Sequence, residues 1–196
     1  DRYRHLNGAQ AAQQAVHSDA EGKHGDADCV GKRDLSMIVS TVPAHAAAVY
    51  TTNLVKGAPL VVTKQHLADG MAQAVICNSG NANTCNADGI EKAQAMCAMT
   101  AQALGVKAED VIVASTGVIG QALDITPIEA GMAQLVSELS EDGSGNAAQA
   151  IMTTDTISKE IAIETEIGGK TVTLGGMCKG SGMIHPNMCT MLGFVT

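Results

Sequence analysis

Hydrophobic and polar residues alternate unevenly along the chain, and that pattern predicts most of its elements. Residues 1–30 are polar and without periodicity, which marks an irregular N-terminal arm; the regular pattern of residues 31–196 predicts one folded domain. Short apolar runs at 35–40 (LSMIVS), 46–53 (AAAVYTTN) and 59–64 (PLVVTK), separated by turn residues, predict strands spaced as in a meander. A further buried strand, AQAVICNSG, stops at Gly80. Residues 89–105 carry apolar side chains on a helical period and end on Gly105, which suits a left-handed helix terminus. The unbroken run from Val111 to Ala114 predicts a strand leading into Ser115, Thr116 and Gly117. TPIEAGMAQLVSELS predicts a helix with Thr126 as N-cap and Pro127 at the first helical position, where its missing N–H costs nothing. EDGSGNAAQAIMTTD passes from a turn into another helix. In KEIAIETEIGGKTVTLGGMC, apolar and polar residues alternate through Ile161, Ile163, Thr165 and Ile167, and the chain turns at Gly168 and Gly169, the mark of a β-hairpin. No internal repeat is visible.

Composition narrows this to an α/β body. The apolar fraction is 45%, enough for a core, yet there is one Phe, two Tyr and no Trp, so that core is built from Ala, Val, Ile, Leu and Met. Such residues suit buried strands packed on Ala-rich helices. A formal net charge of −8 excludes a surface that follows nucleic-acid phosphates, which needs clustered Lys and Arg. No apolar run approaches the roughly 18 to 20 residues that cross a bilayer, and the first residues lack a signal pattern, so a cytoplasmic protein without membrane association is expected. Six cysteines are scattered without a CxxC pair, which fits neither a zinc ribbon nor a disulfide framework; most are expected to be reduced, buried and structural.

Four stretches carry polar groups that a core or plain turn would not need. NSGNAN, at 78–83, is either a tight turn that requires Asn and Gly or a loop that braces or binds at a strand end. STGVIG, at 115–120, breaks a strand at Thr-Gly and can aim consecutive backbone N–H groups at one point, the arrangement that stabilises an oxyanion. In MTTDTISK, Thr154 or Asp155 suits a cap at an element junction. Lys179 stands between an apolar strand and a Gly-Ser-Gly run, an odd place for a solvated cation and a suitable one for holding a substrate carboxylate. In the closing KGSGMIHPNMCTMLGFVT, His185 precedes a proline and reads as structural, while Cys189 lacks an evident group to lower its pKa. Thr190 has another route to reactivity. If it becomes the first residue of a chain, its own α-amine, of pKa about 8, can serve as base for its hydroxyl.

These four stretches, in this order and approximate spacing, resemble the ornithine acetyltransferase family, also called the bifunctional glutamate N-acetyltransferase and amino-acid acetyltransferase family of arginine biosynthesis. The resemblance runs from Lys32 to Thr196. It implies a layered α/β sandwich, reminiscent of N-terminal-nucleophile hydrolases but differently connected. It implies a precursor that cuts itself between Cys189 and Thr190 into α and β chains, with Thr190 as nucleophile, Thr116 and Gly117 as the oxyanion pair, and Thr153 and Lys179 as substrate contacts. The implied reaction is ping-pong: N2-acetylornithine gives its acetyl group to Thr190, ornithine leaves, and glutamate takes the acetyl. Some members also accept acetyl-CoA. No metal or bound cofactor is implied. The implied partner is the β chain of the same precursor, in an assembly of two α and two β chains. One departure is Cys189, where the family commonly has Ala or Gly. The β half is missing, so the chain alone is expected to be inactive, with segment 179–190 carrying the cleavage site and TMLGFVT the buried start of the catalytic chain. The alternatives are an N-terminal-nucleophile aminopeptidase that resolves the acyl-threonine with water, and a scaffold subunit whose Thr190 is never freed.

Overall fold

The structure, a computed structural model, describes residues 11–16, 33–182, 187–188 and 191–196, the first of these segments by its backbone alone. Its elements are β1 (Ala11–Val16), β2 (Leu35–His45), α1 (Ala58–His66), β3 (Met71–Asn78), α2 (Gly89–Leu104), β4 (Val111–Ser115), α3 (Thr126–Ser137), α4 (Ser144–Ala150), β5 (Lys159–Ile167), β6 (Lys170–Cys178) and β7 (Gly193–Val195). One sheet has the order β1-β2-β3-β4, antiparallel except for β3 and β4, which run parallel because α2 carries the chain back between them. The other is the antiparallel sheet β5-β6-β7.

Side chains that alternate along β2, β3 and β4 feed two separate cores, one on each face of the first sheet. Leu35, Met37, Ala74, Ile76, Val111 and Val113 pack with Met96, Cys97, Ile128 and Leu135 of the helices on one face. Ile38, Cys77 and Ala114 point the other way and meet Ala147, Ala148 and Ile151, together with Met177 from β6, while Leu192 and Phe194 pack against the cluster. The result is the layered α/β arrangement expected: helices, sheet, then α4 with the second sheet. Both faces of the central strands are covered, which is why these strands are apolar runs and not alternating ones.

Three expectations for the first third change. Residues 46–53 form no strand, and Val49 and Leu54 stand exposed. The β-branched run at 59–64 is helical, within α1. Its Pro59 lies at the helix start, and the Thr63 hydroxyl both donates to the Val113 carbonyl (2.8 Å) and accepts the Val113 N–H (3.2 Å). His66, one turn on, lies with Nδ1 2.8 Å from the Val111 carbonyl oxygen. α1 thus satisfies the free edge of β4, the outermost strand, and that tertiary demand outweighs the strand propensity of Val61, Val62 and Thr63. Within the arm at 1–30, residues 11–16 are the strand β1, paired along β2; an Ala- and Gln-rich segment has little strand propensity of its own and takes its conformation from the β2 edge.

Two finer corrections concern termini. The N-cap of α3 is Ile125, and the Thr126 N–H is taken by Asp124 Oδ1 at 3.0 Å, so the aspartate two residues upstream satisfies the donor assigned to a threonine cap. Among the described residues of TMLGFVT, 191–196, only Leu192 and Phe194 are partly covered, whereas Met191, Gly193 and Val195 are exposed, because β7 has the core on one face only. Of the cysteines described, Cys77 and Cys97 are buried, but Cys85 and Cys178 are exposed. The hairpin turns as expected, with Gly168 at φ +60 and Gly169 at φ +76, the positive pair that a two-residue turn of matching twist requires.

Candidate active site

The parallel pair β3 and β4 ends with Asn78 beside Ser115, and both loops with polar motifs leave from that edge. In the first loop almost every amide is spent on bracing. Asn78 donates from Nδ2 to the Asn81 carbonyl (2.9 Å) and accepts the Gly80 N–H at Oδ1 (2.9 Å). Asn81 accepts the Asn83 N–H (2.7 Å), and Asn83 Nδ2 reaches the Gly89 carbonyl at the start of α2 (2.8 Å). Ser79 donates to the Ala150 carbonyl at the end of α4 (2.5 Å). Of the two readings of NSGNAN, these contacts make it a bracing loop. The positive φ values fall on Asn83 and Cys85, not on Gly80.

The second loop is fastened to the first. Val118 pairs with Asn81 in parallel, and its carbonyl accepts the Ala82 N–H at 2.9 Å. Gly117 sits at φ +122, and a β-carbon there would stand 2.6 Å from the Gly80 carbonyl carbon and oxygen, so only glycine fits. Thr116 is buried, 2% exposed, and its N–H donates to the Asn78 carbonyl (2.8 Å). This corrects the expectation of consecutive backbone N–H donors. Among the described residues no hydrogen bond engages the Thr116 hydroxyl or the Gly117 N–H, so the adjacent donors left for an incoming oxygen are one hydroxyl and one N–H.

Thr153, just past α4, and Lys179, just past β6, meet around a carboxylate. Asp155 Oδ1 accepts from Lys159 Nζ and from the Gly180 N–H, each at 2.6 Å, and Oδ2 accepts from the Thr153 N–H at 3.4 Å. Burial opposes the Asp155 charge, but the Lys159 ammonium and the two N–H groups outweigh it and hold the carboxyl below its ordinary range. Lys179 is 3% exposed; its Nζ donates to the Gly180 carbonyl (2.8 Å) and its N–H to the Leu192 carbonyl (2.9 Å). Burial pulls its ammonium below the usual lysine range against the favourable charges of Asp155 and Cys77, while Lys159 adds to the depression. Burial likewise pushes the Cys77 thiol up to about 12, with Lys179 acting in the opposite direction.

The two halves converge on the second core. Cys77 precedes Asn78, Ala114 lies two residues before Thr116, Ile151 two before Thr153 and Met177 two before Lys179, and all four belong to that one apolar cluster. Thr116 and Gly117 after β4, Thr153 after α4 and Lys179 after β6 thus leave three elements that pack on this one cluster. His185, Cys189 and Thr190 lie outside the described residues. On either side of the last two, the chain is held. The Thr51 hydroxyl donates to the Asn187 carbonyl (2.7 Å) and Asn187 Nδ2 donates to Thr52 Oγ1 (2.8 Å), while Leu192 accepts the Lys179 N–H. Asn187 (φ +47) and Met188 (φ +66) are consecutive non-glycine residues in the left-handed region, a conformation stored only where surrounding contacts enforce it. Asp155 and the Thr51–Asn53 stretch are the site features that sequence reasoning misplaced, one as a cap and the other as a strand. The crowding of Thr, Asp and Asn within each was the available signal.

The family model described as ArgJ family matches residues 19–196. The chain belongs to the ArgJ family. Relatives named arginine biosynthesis bifunctional protein ArgJ include that of Symbiobacterium thermophilum, 54% identical over 167 residues, which are 85% of this chain and 42% of the relative. That of Listeria monocytogenes is 50% identical over 183 residues, 90% of this chain and 44% of the relative. The chain thus spans less than half the length of these curated relatives. Among solved structures, the ArgJ protein of Bacillus halodurans superposes with TM-score 0.80 at 39% identity, covering 94% of this chain and 95% of that one. The ornithine acetyltransferase of Mycobacterium tuberculosis complexed with ornithine gives TM-score 0.80 at 36% identity, covering 91% and 92%. The mixed α/β fold of the ArgJ structures is therefore the fold of this chain.

Proposed function

We propose that this chain is the N-terminal part of a glutamate N-acetyltransferase of arginine biosynthesis, which moves acetyl from N2-acetylornithine to glutamate. The observation that carries the proposal is the convergence of two unused donors, on Thr116 and Gly117, with the buried Lys179 around one apolar cluster. Acyl transfer between two α-amino acids needs a site for the developing oxyanion and a cation for the α-carboxylate that donor and acceptor share.

In this reading Thr190 Oγ first attacks the Cys189 carbonyl, the peptide nitrogen leaves as the Thr190 α-amine, and water hydrolyses the resulting ester. The left-handed Asn187 and Met188 immediately upstream favour that step by holding a strained turn. The freed α-amine then accepts the hydroxyl proton as Oγ attacks the acetyl carbonyl of acetylornithine. The Thr116 hydroxyl and Gly117 N–H stabilise the oxyanion, and ornithine departs with the proton on its amine. Glutamate attacks the acetyl-threonine ester in the reverse sense. Lys179 pairs with the shared carboxylate, and Thr153 contacts the substrate beside it. Acetyl-CoA enters as a second donor, no bound cofactor is required, and the cytoplasm is the proposed compartment; among the described residues no helix is long and apolar enough to cross a membrane.

The remainder of the longer protein is the proposed partner, in an assembly of two α and two β chains. Support comes from the outer face of the second sheet, where Ile161, Ile163, Leu174 and Val195 share one side of β5-β6-β7 and are 66%, 50%, 37% and 78% exposed. A contiguous apolar face of this kind is what the remainder of a longer protein would cover.

The test uses the full-length protein. Intact mass should show a cut before Thr190, Thr190→Ala should leave the precursor whole, and labelled acetyl should pass from acetylornithine to glutamate. Cleavage in Thr190→Ala, or release of acetate without acetylglutamate, would overturn the proposal, the second outcome favouring a hydrolase.

A further inference from the structure

We infer that Asp155 is a positioning residue for substrate binding: its one buried carboxylate ties the loop of Thr153 to the strand end of Lys179 and sets the distance between them. This rests on reading Thr153 and Lys179 as substrate contacts. The β5–β6 ladder ends where Lys159 pairs with Cys178, and beyond that pair nothing in the ladder joins the two strands. Asp155 closes the open end. Its side chain is 3% exposed, and its oxygens accept from Thr153, Lys159 and Gly180, so the carboxylate is engaged on both sides of the gap.

The tether reaches Lys179 through one residue. Gly180 gives its N–H to Asp155 and its carbonyl to the Lys179 ammonium, so it links the carboxylate to one of the contacts that hold the ammonium. The approach at 180 is close: a β-carbon there would stand 2.7 Å from Asp155 Oδ1 and would push the carboxylate aside. Lys159 stabilises the carboxylate charge but, with its side chain 41% exposed, forms no link to Gly180. Loss of Asp155 releases the Gly180 N–H, and Gly180 is a partner of the Lys179 ammonium.

The experiment compares variants of the full-length enzyme in acetyl transfer from acetylornithine to glutamate. Asp155→Ala and Gly180→Ala should each raise KM for both substrates about tenfold, the scale of a lost charge-assisted hydrogen bond, with kcat changed less than about threefold. Asp155→Asn, which keeps an acceptor for the Gly180 N–H, should recover part of the loss, and Lys159→Met should raise KM less than Asp155→Ala does. Lys179→Met should raise KM by itself, and combined with Asp155→Ala should cost less than the product of the two effects, because both act through one ammonium. If Asp155→Ala lowers thermal stability but leaves KM unchanged while Lys179→Met raises it, the tether is structural and the inference fails. Independent effects in the double variant also overturn it. If Lys179→Met leaves KM unchanged, the reading of Lys179 fails and the positioning role falls with it. Should Asp155→Ala not fold, Gly180→Ala and Asp155→Asn carry the same comparison.

Discussion

Gly117 occupies a conformation that side chains rarely adopt, at φ +122, and its α-carbon lies against the Gly80–Asn81 backbone with no space for a methyl group. The tight approach thus falls on the residue proposed for the oxyanion pair. Gly117→Ala should destabilise the fold by about 1–3 kcal/mol, measured by urea unfolding, and, on the proposed oxyanion role, should lower kcat for acetyl transfer more than it raises KM, because such donors act on the transition state. A variant with normal kcat would remove Gly117 from the oxyanion pair. The Thr-Gly dipeptide was legible in the sequence as a strand break. Which group of Thr116 is free was not, since that depended on Asn78, thirty-eight positions away in the chain by numbering, accepting the Thr116 N–H.

At the scale of elements, the long periodic segments matched their pattern. α2, α3, β3, β4 and the β5–β6 hairpin all lie where periodicity and turn glycines predict them. The failures, residues 11–16, 46–53 and 58–66, are segments in which a neighbour decides. α1 is the clearest, because its β-branched sequence favours a strand while the unpaired edge of β4 needs side-chain partners that only a helix crossing it can supply. Thr63→Val keeps the shape and removes both hydrogen bonds to Val113, leaving a buried N–H and carbonyl less satisfied. The expected cost is about 1–3 kcal/mol, read as a shift in urea midpoint at constant slope. A neutral substitution would mean that α1 is held by Val62 and Pro59 packing alone. The 46–57 segment has a similar lesson: its Thr51 and Thr52 serve the turn at Asn187, a contact 135 positions apart that no local pattern encodes.

For the whole molecule, the decisive feature is the second core. Its residues come from β2, β3, β4, α4 and β6, and each of the four motif stretches begins one or two positions beyond one of them. Packing of Ile38, Cys77, Ala114, Ile151 and Met177 therefore assembles the site as a by-product of burying apolar surface. The opposite side of β5-β6-β7 has no such cover within this chain, and a charge placed there separates the two roles of the sheet. Ile163→Glu should change the stability of this chain alone by less than about 0.5 kcal/mol, since the position is half exposed. In the full-length protein the same substitution should separate or misassemble the two parts, seen by size-exclusion chromatography. An intact full-length assembly carrying Ile163→Glu would show that this face is not where the remainder docks.

Sequence alone determined the class of fold, the long helices and central strands, the hairpin and the four polar stretches, because periodicity, turn glycines and clustered hydroxyls and amides are local properties that survive without neighbours. It also sufficed for family membership, through the resemblance of those stretches. Only the tertiary structure decided which atoms pair: that the Thr116 N–H is taken by Asn78, that the NSGNAN amides brace their own loop, and that Asp155 accepts from Gly180 across the gap as well as from Thr153 and Lys159. Hydrogen-bond partners are chosen between segments far apart in the chain, so the choice exists only once packing has brought those segments together.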